Sequence, residues 1–449
     1  TDRTRKVMDY LESGLSDVNP SLVLTLGVGS ALKKGEDAFS TGMRYNNTEM
    51  AEIAFASAVD SLIAVKELVY ENEERGMRNE ECRKTRFSLK ELGENPFFIG
   101  VASASGKKFL DKNSIEHCFL PYDSGLYHND TFLTKITHRI SRVLRFYPCR
   151  RMLRSTLAKL SSETDSLTVW FAEVQSAALL GNAWKKYPRR IVSIYELADF
   201  YGSSWLGFDF RRFIRQTVIV EPEVNRAKEI QKHFKLSDLP CVVANKPSCH
   251  PRHYTGEIPS AARNVLAKAQ GRPIFLYQGV WAADRRVVGR YLETIAKNRP
   301  QYCVVVMPGG GPAARLAREC SNFFILDYVP PPGHLAVTGM ASVGIAVYNS
   351  EGKTKLERLN ALYCAPNKIY EYAGFGLPIL GNDVPGLKDT VGRFGAGVCC
   401  SDDPDSILAA ADELVRNHAQ FSQAANAFFD ATDLQAQVRA ALLKSEVAR

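Results

Sequence analysis

Asn367, Lys368 and Glu371 follow Pro366 within the stretch Ala365–Lys388, which reads APNKIYEYAGFGLPILGNDVPGLK. Residues of these types at this spacing could hold an anion. Proline brings no amide hydrogen to the first helical turn, where none is needed, so a helix starts naturally at Pro366 or Asn367. Asn367 can cap it, and the unbonded N–H groups behind a cap attract negative charge. Lys368 adds a full positive charge at the same mouth. A second such place is Gly309-Gly310-Gly311, where an apolar run ends and missing side chains let a ligand or another backbone approach closely.

Several elements must position these residues. Ile369, Tyr372, Ala373 and Phe375 give the expected helix an apolar side, and Gly374 or Gly376 ends it in a left-handed turn. Leu377–Leu380 reads as a buried strand, followed by a turn at Asp383-Val384-Pro385-Gly386. Upstream, short apolar runs alternate with helical patterns from Phe97 onward. Strands are expected at Phe97–Ala102, Ile115–Leu120, Leu167–Ala172, Ile191–Glu196, Thr217–Val220 and Cys241–Ala244. The second half adds Ile274–Gln278, Tyr302–Met307, Phe323–Leu326 and Val343–Val347. Strands separated by helices of ten to fifteen residues predict parallel, doubly wound sheets. Before Phe97 the pattern suggests a mostly helical extension, with a long helix over Thr48–Glu74 and a weak glycine turn at Gly27-Val28-Gly29-Ser30.

The 449 residues leave room for two or three domains, and 45% apolar with 24% charged residues is ordinary for a globular protein. No apolar run approaches the ~20 residues a helix needs to span a bilayer, and no signal-peptide pattern is visible. The ten cysteines lack paired spacing, which points to a reducing compartment. The net charge of +8 is concentrated: residues 131–162 hold no Asp or Glu but eight cations, Lys135, Arg139, Arg142, Arg145, Arg150, Arg151, Arg154 and Lys159. Interleaved with Ile136, Ile140, Val143 and Phe146, they predict one or two basic amphipathic helices, broken near Pro148, that suit an anionic membrane surface. No nucleic-acid-binding module accompanies the charge. The histidines of Cys249-His250-x2-His253 lack the spacing of a metal site.

The stretch Ala365–Lys388 resembles the nucleotide-sugar signature of GT-B glycosyltransferases, above all family four and its bacterial surface-polysaccharide members. That signature reads proline, Asn or Ser, lysine, two apolar residues, Glu-Tyr, and later Gly-(Leu/Lys)-Pro. Tyr277-Gln278-Gly279 followed by Arg285, and Asp327-Tyr328-Val329-Pro330, resemble two further elements of the family, and Thr217–Lys246 looks like the end of its first domain. The resemblance implies a GT-B fold: two Rossmann-like, doubly wound parallel-sheet domains facing a cleft. The corresponding division is an extension or the start of the first domain at 1–94, an acceptor domain at 95–250, a linker at 251–271 and a donor domain with terminal helices at 272–449. Glu371 would accept hydrogen bonds from the donor ribose, and Arg285 and Lys368 would meet the diphosphate. Gly279, Gly310 and Asn367 complete the expected donor site.

Glycosyl transfer builds negative charge on the departing phosphate, and cations with helix N-termini stabilise it. No metal or separate cofactor is therefore expected, and no Asp-x-Asp follows an apolar strand. The family pair Glu-x7-Glu is incomplete here, since Tyr363 stands where the first Glu belongs. Retention or inversion thus stays open, with Asn360 or Tyr363 offering a neutral hydrogen bond in place of the carboxylate. Glu196, Asp199 and Glu173, at strand ends of the first domain, are the candidate bases or catalytic carboxylates.

The expected activity is transfer of a sugar from a UDP- or GDP-sugar to a glycan or lipid-linked acceptor, in bacterial surface-polysaccharide synthesis. The expected location is the cytoplasm, peripheral on the inner membrane face. A GT-B nucleotide-sugar epimerase and a non-catalytic glycosyltransferase-like subunit are the alternatives.

Overall fold

The computed structural model describes residues 89, 92, 94–100, 110, 111, 114–120, 134–164, 166–172, 174–194, 208–247, 250–254, 256–279, 281, 286–309, 311–330, 332–349, 351 and 355–447. The chain divides into two compact units, Thr1–Glu80 and Glu81–Arg449. The first unit, with the helices and glycine turn expected there, lies outside the described residues.

The second unit opens with β1 (Phe97–Gly100), β2 (Glu116–Phe119), α1 (Thr134–Glu163), β3 (Thr168–Phe171) and α2 (Val174–Leu180). Then come β4 (Arg189–Ser193), α3 (Phe210–Arg215), β5 (Val218–Glu221), α4 (Val224–Phe234) and β6 (Cys241–Val242). A second series follows: α5 (Ser260–Ala269), β7 (Ile274–Gln278), α6 (Arg286–Asn298), β8 (Cys303–Met307), α7 (Gly311–Glu319) and β9 (Phe323–Ile325). It continues through α8 (His334–Thr338), β10 (Val343–Ala346), α9 (Lys355–Leu362), α10 (Asn367–Gly374), β11 (Ile379–Asn382) and β12 (Gly397–Cys400). The helices α11 (Pro404–Arg416), α12 (His418–Ala431) and α13 (Leu434–Val447) end the chain.

Among the described residues every strand pair is parallel: β1 with β2, then a sheet β3-β4-β5-β6, then a six-stranded sheet ordered β12-β11-β10-β7-β8-β9. The six-stranded order reverses direction between β7 and β10, and such a switch point opens a crevice at the carboxyl ends of its strands. Alternation along each strand builds a core on each face. Ile274 and Leu276 join one core with α5, α10 and α12, whereas Phe275 and Tyr277 join another with α6, α7 and α11. In the four-stranded sheet, Val169, Phe171, Val192 and Ile219 face a core with α1 to α4, while Ile191, Val218 and Val220 face the other side.

That other side is covered by the last helix of the chain. Leu434, Val438 and Ala441 of α13, spaced as one helical stripe, pack with Ile191, Val218, Val220 and Val243. The backbone N–H of Ala244, just past β6, donates to Gln437 Oε1 at 2.8 Å. The terminal helix therefore belongs to the first sheet, which corrects the expectation that 272–449 forms the donor domain as a block. α12 and α13 are separate helices, because Asp433 accepts from the N–H of Ala436 at 2.9 Å and starts α13 anew.

The expected linker 251–271 also shrinks. Ala262, Val265 and Ala269 of α5 are buried in the second domain's core, so only the segment before Ser260 connects. The strand expected at Leu377–Leu380 lies two residues later, as β11, and α9 and β12 were not anticipated. Finally, α1 runs unbroken through Pro148. Its second half is a structural helix, with Cys149, Leu153 and Leu157 buried in the first core. Arg150 Nε donates to Leu179 O at 2.9 Å and Arg154 Nη2 to Leu180 O at 3.0 Å. They satisfy carbonyls left over at the end of α2, where helix polarity favours cations. Among the described residues no helix is long and apolar enough to cross a membrane.

Candidate functional site

The helix α10 is pinned over the switch point by Tyr372. Its ring is fully buried, and its hydroxyl donates to Leu276 O at 3.1 Å while accepting from the N–H of Gln278 at 3.1 Å. The Ile345 carbonyl of β10 lies 3.4 Å from the same oxygen. One hydroxyl thus joins the ends of the two strands between which the sheet order reverses. Space for the ring exists because Gly344 has no side chain: a Cβ there would lie 2.2 Å from Tyr372 Cδ2. Burial first, together with the neighbouring Glu371, pushes the Tyr372 hydroxyl well above its ordinary pKa, so it stays a neutral donor.

Pro366, not Asn367, occupies the cap position of α10, with extended backbone and no side-chain cap. Asn367 is the first helical residue. The leading amides accordingly lack intrahelical partners, as at any helix start. Asn367 Oδ1 and Gln278 Oε1 are buried without a hydrogen-bond partner among the described residues. Asn245, from the connection between the sheets, fixes the approach to α10 by donating to Ala365 O at 2.7 Å.

Lys368 and Gly279 meet at this mouth. The Lys368 ammonium lies 4.6 Å from the centroid of the Tyr277 ring and 5.5 Å from that of Tyr348. Such faces attract cations and hold the amine in place. Gly279 follows β7 with φ +154°, and its N–H donates to Met307 O at 2.8 Å. A Cβ at 279 would stand 3.2 Å from Lys368 Nζ and 3.3 Å from Tyr277 Oη, so a side chain would crowd the amine.

Glu371 sits about one turn along α10 from Lys368 and is only 7% exposed. His334, at the start of α8, places Nε2 3.3 Å from Glu371 Oε2. Thr338 Oγ1 donates to the His334 carbonyl at 3.1 Å and accepts from Gln278 Nε2 at 2.9 Å. Of the expected donor residues, the fold brings Gly279, Lys368, Asn367 and Glu371 to one end of the six-stranded sheet. Arg285, Gly310, Glu173, Glu196 and Asp199 lie outside the described residues. Sequence reasoning missed His334, Tyr277 and Tyr348 as neighbours of the site. Tyr277 was in view as the residue before Gln278-Gly279; His334 gave only the signal of a polar residue opening a short apolar helix.

The two sheets also meet across polar contacts. Arg226 of α4 donates through Nη2 to Asn360 Oδ1 at 3.1 Å, and Asn225 Nδ2 donates to Asp389 Oδ2 at 2.8 Å. Arg226 Nε lies 3.6 Å from the fully buried Glu221. Burial raises the pKa of Glu223, whose carboxylate caps α4. Asn360, expected as a sugar contact, is thus engaged by the opposite domain.

Known structures align with this chain over most of their own length. A glycosyltransferase from Rickettsia africae is 14% identical and aligns over 84% of this chain and 94% of its own, with a TM-score of 0.56. HepE from Anabaena, solved in complex with UDP, is 9% identical over 82% and 95%, with a TM-score of 0.53. The fold is GT-B. A solved structure of different description, a putative UDP-N-acetylglucosamine 2-epimerase from Listeria monocytogenes, is 11% identical over 82% and 93%, with a TM-score of 0.51. Identities this low carry the GT-B architecture alone. No curated protein matches the chain. Residues 1–100 match a family model described as PFL-like, pyruvate formate lyase-like, a stretch that lies almost wholly before β1, the first strand among the described residues.

Proposed function

We propose that this chain is a glycosyltransferase that takes a sugar from a nucleotide diphosphate-sugar. The observation that carries this reading is Lys368 standing beside Gly279 at the switch point, with Glu371 on the same helix. The amine and the leading amides of α10 stabilise the departing diphosphate, and Glu371 accepts from the ribose hydroxyls. HepE, with UDP alone and with UDP and glucose, supports a uridine donor. The reacting carboxylate is sought among Glu173, which follows β3, and Glu196 and Asp199, which follow β4 in the chain. The acceptor is a glycan or lipid-linked glycan, met at the cytoplasmic membrane face through the first half of α1.

The test is a thermal-shift screen of UDP, GDP and their sugars. A ligand at ~100 times its Kd adds about 2.7 kcal/mol of stability. No stabilisation by any nucleoside diphosphate would end the reading. The likeness to the Listeria protein supports one second reading, an epimerase. Incubation with UDP-N-acetylglucosamine alone separates the two by NMR: an epimerase yields an isomer without any acceptor, whereas a transferase leaves the donor intact or hydrolyses it slowly.

A further inference from the structure

We infer that His334 is a positioning residue: it holds Glu371 in the geometry that makes the site select a ribonucleotide over its deoxy analogue. The inference rests on the proposed ribose role of Glu371. Both side chains are largely buried, 12% and 9% exposed, with Nε2 and Oε2 3.3 Å apart. A carboxylate taken out of water is stable only when it is hydrogen-bonded or paired. Its two oxygens offer about four lone-pair sites, so His334 beside one oxygen orients the group without exhausting its capacity to accept. A carboxylate with rotational freedom would lose part of that geometric advantage each time it bound.

His334 is itself anchored. Thr338, fully buried, bonds back to the His334 carbonyl at 3.1 Å. Gln278, at the end of β7, donates to the Thr338 hydroxyl at 2.9 Å. The next residue is Gly279, beside the amine of Lys368. A continuous chain of bonds and buried contacts thus runs from Lys368 and Gly279 through Gln278, Thr338 and His334 to Glu371. It fixes the spacing between the group assigned to the diphosphate and the group assigned to the ribose. Such support decides whether a site is held to the tolerance that recognition needs.

The experiment measures, by calorimetry, binding of UDP or GDP, whichever is tighter, and of its 2′,3′-dideoxy analogue, to wild type, His334→Ala, His334→Gln and Glu371→Ala. Wild type is expected to prefer the ribonucleotide by about tenfold or more, which is about 1.4 kcal/mol per factor of ten. His334→Ala should bring that ratio close to the ratio of Glu371→Ala while leaving affinity for the dideoxy analogue unchanged. His334→Gln, whose amide can reach the place of Nε2, should restore part of it. A wild-type ratio in both His334 variants, or an equal loss for both ligands, overturns the inference while Glu371→Ala still abolishes the preference. If Glu371→Ala keeps the wild-type ratio, the ribose role falls, and the positioning role with it. Should His334→Ala fail to fold, the His334→Gln ratio decides the matter alone: a ratio between those of wild type and Glu371→Ala supports the role, and an unaltered ratio refutes it.

Discussion

Lys368 and Gly279 lie 89 residues apart in sequence, yet a single Cβ added at Gly279 would stand 3.2 Å from the lysine amine. Their closeness makes a pair of predictions. Lys368→Ala should weaken nucleoside diphosphates far more than the bare nucleoside, because only the former carries charge for the amine to meet. Gly279→Val should do the same by displacing the amine, with an added strain from its φ of +154°. Calorimetry with UDP and uridine is the check; equal losses for both ligands would remove Lys368 from the diphosphate.

Glu371→Ala should cost about 1.5–3 kcal/mol in donor binding, the range for hydrogen bonds to a charged group. Glu371→Gln should lose less, since one oxygen still accepts. A correctly folded Glu371→Ala that binds UDP as wild type does would contradict the ribose assignment.

Gly344 and Tyr372 should be intolerant for complementary reasons. Gly344→Ala places a methyl carbon against the Tyr372 ring, an overpacking that typically costs about 1–3 kcal/mol. Tyr372→Phe keeps the ring but leaves the N–H of Gln278 and the carbonyl of Leu276 short of a partner, a loss of about 1–3 kcal/mol. Urea denaturation of both variants tests this, and Gly344→Ala at wild-type stability would show that the ring moves freely.

Acid stability should depend on Asp412. Arg299 donates to both of its oxygens, at 2.7–3.1 Å, and Tyr302 adds a bond at 2.9 Å. The Arg299 bonds hold its carboxyl below the usual range, and burial, aided by Asp412, pushes the Tyr302 hydroxyl up to about 12. A depressed carboxylate pKa gives stability that is present above the unfolded value of ~3.9 and is lost as pH falls toward the folded value. Asp412→Asn should therefore lower Tm at pH 7 and flatten the decline in Tm below about pH 4. Parallel Tm curves for the two proteins would refute the linkage.

Vesicle binding should reside in the first half of α1. Arg150 and Arg154 are committed to the end of α2, and Lys159 lies 3.8 Å from Glu163. Replacing Lys135, Arg139, Arg142 and Arg145 with Gln should release the protein from anionic vesicles at low salt, since each cation near such a surface contributes about 1 kcal/mol. Wild-type protein that ignores anionic vesicles would make the basic stretch a solvated face and would remove the membrane from the reading.

How much of this was legible beforehand varies with the range of the interaction. Short apolar runs separated by helical patterns determined the parallel sheets, because the backbone must bury those runs wherever they lie. The spacing of Pro366, Lys368 and Glu371 determined one helix with an amine at its mouth and a carboxylate about one turn along, since helical geometry is local. Boundaries failed where a distant partner competes. Nothing local in Leu434–Val447 says that its apolar stripe covers the other domain's sheet, or that Ser260–Ala269 fills a core instead of linking two. The partner of Glu371 and the space for Tyr372 were equally hidden. His334 and Gly344 reach those residues only once strand order sets β7 beside β10, and that order comes from packing both faces of the sheet at once.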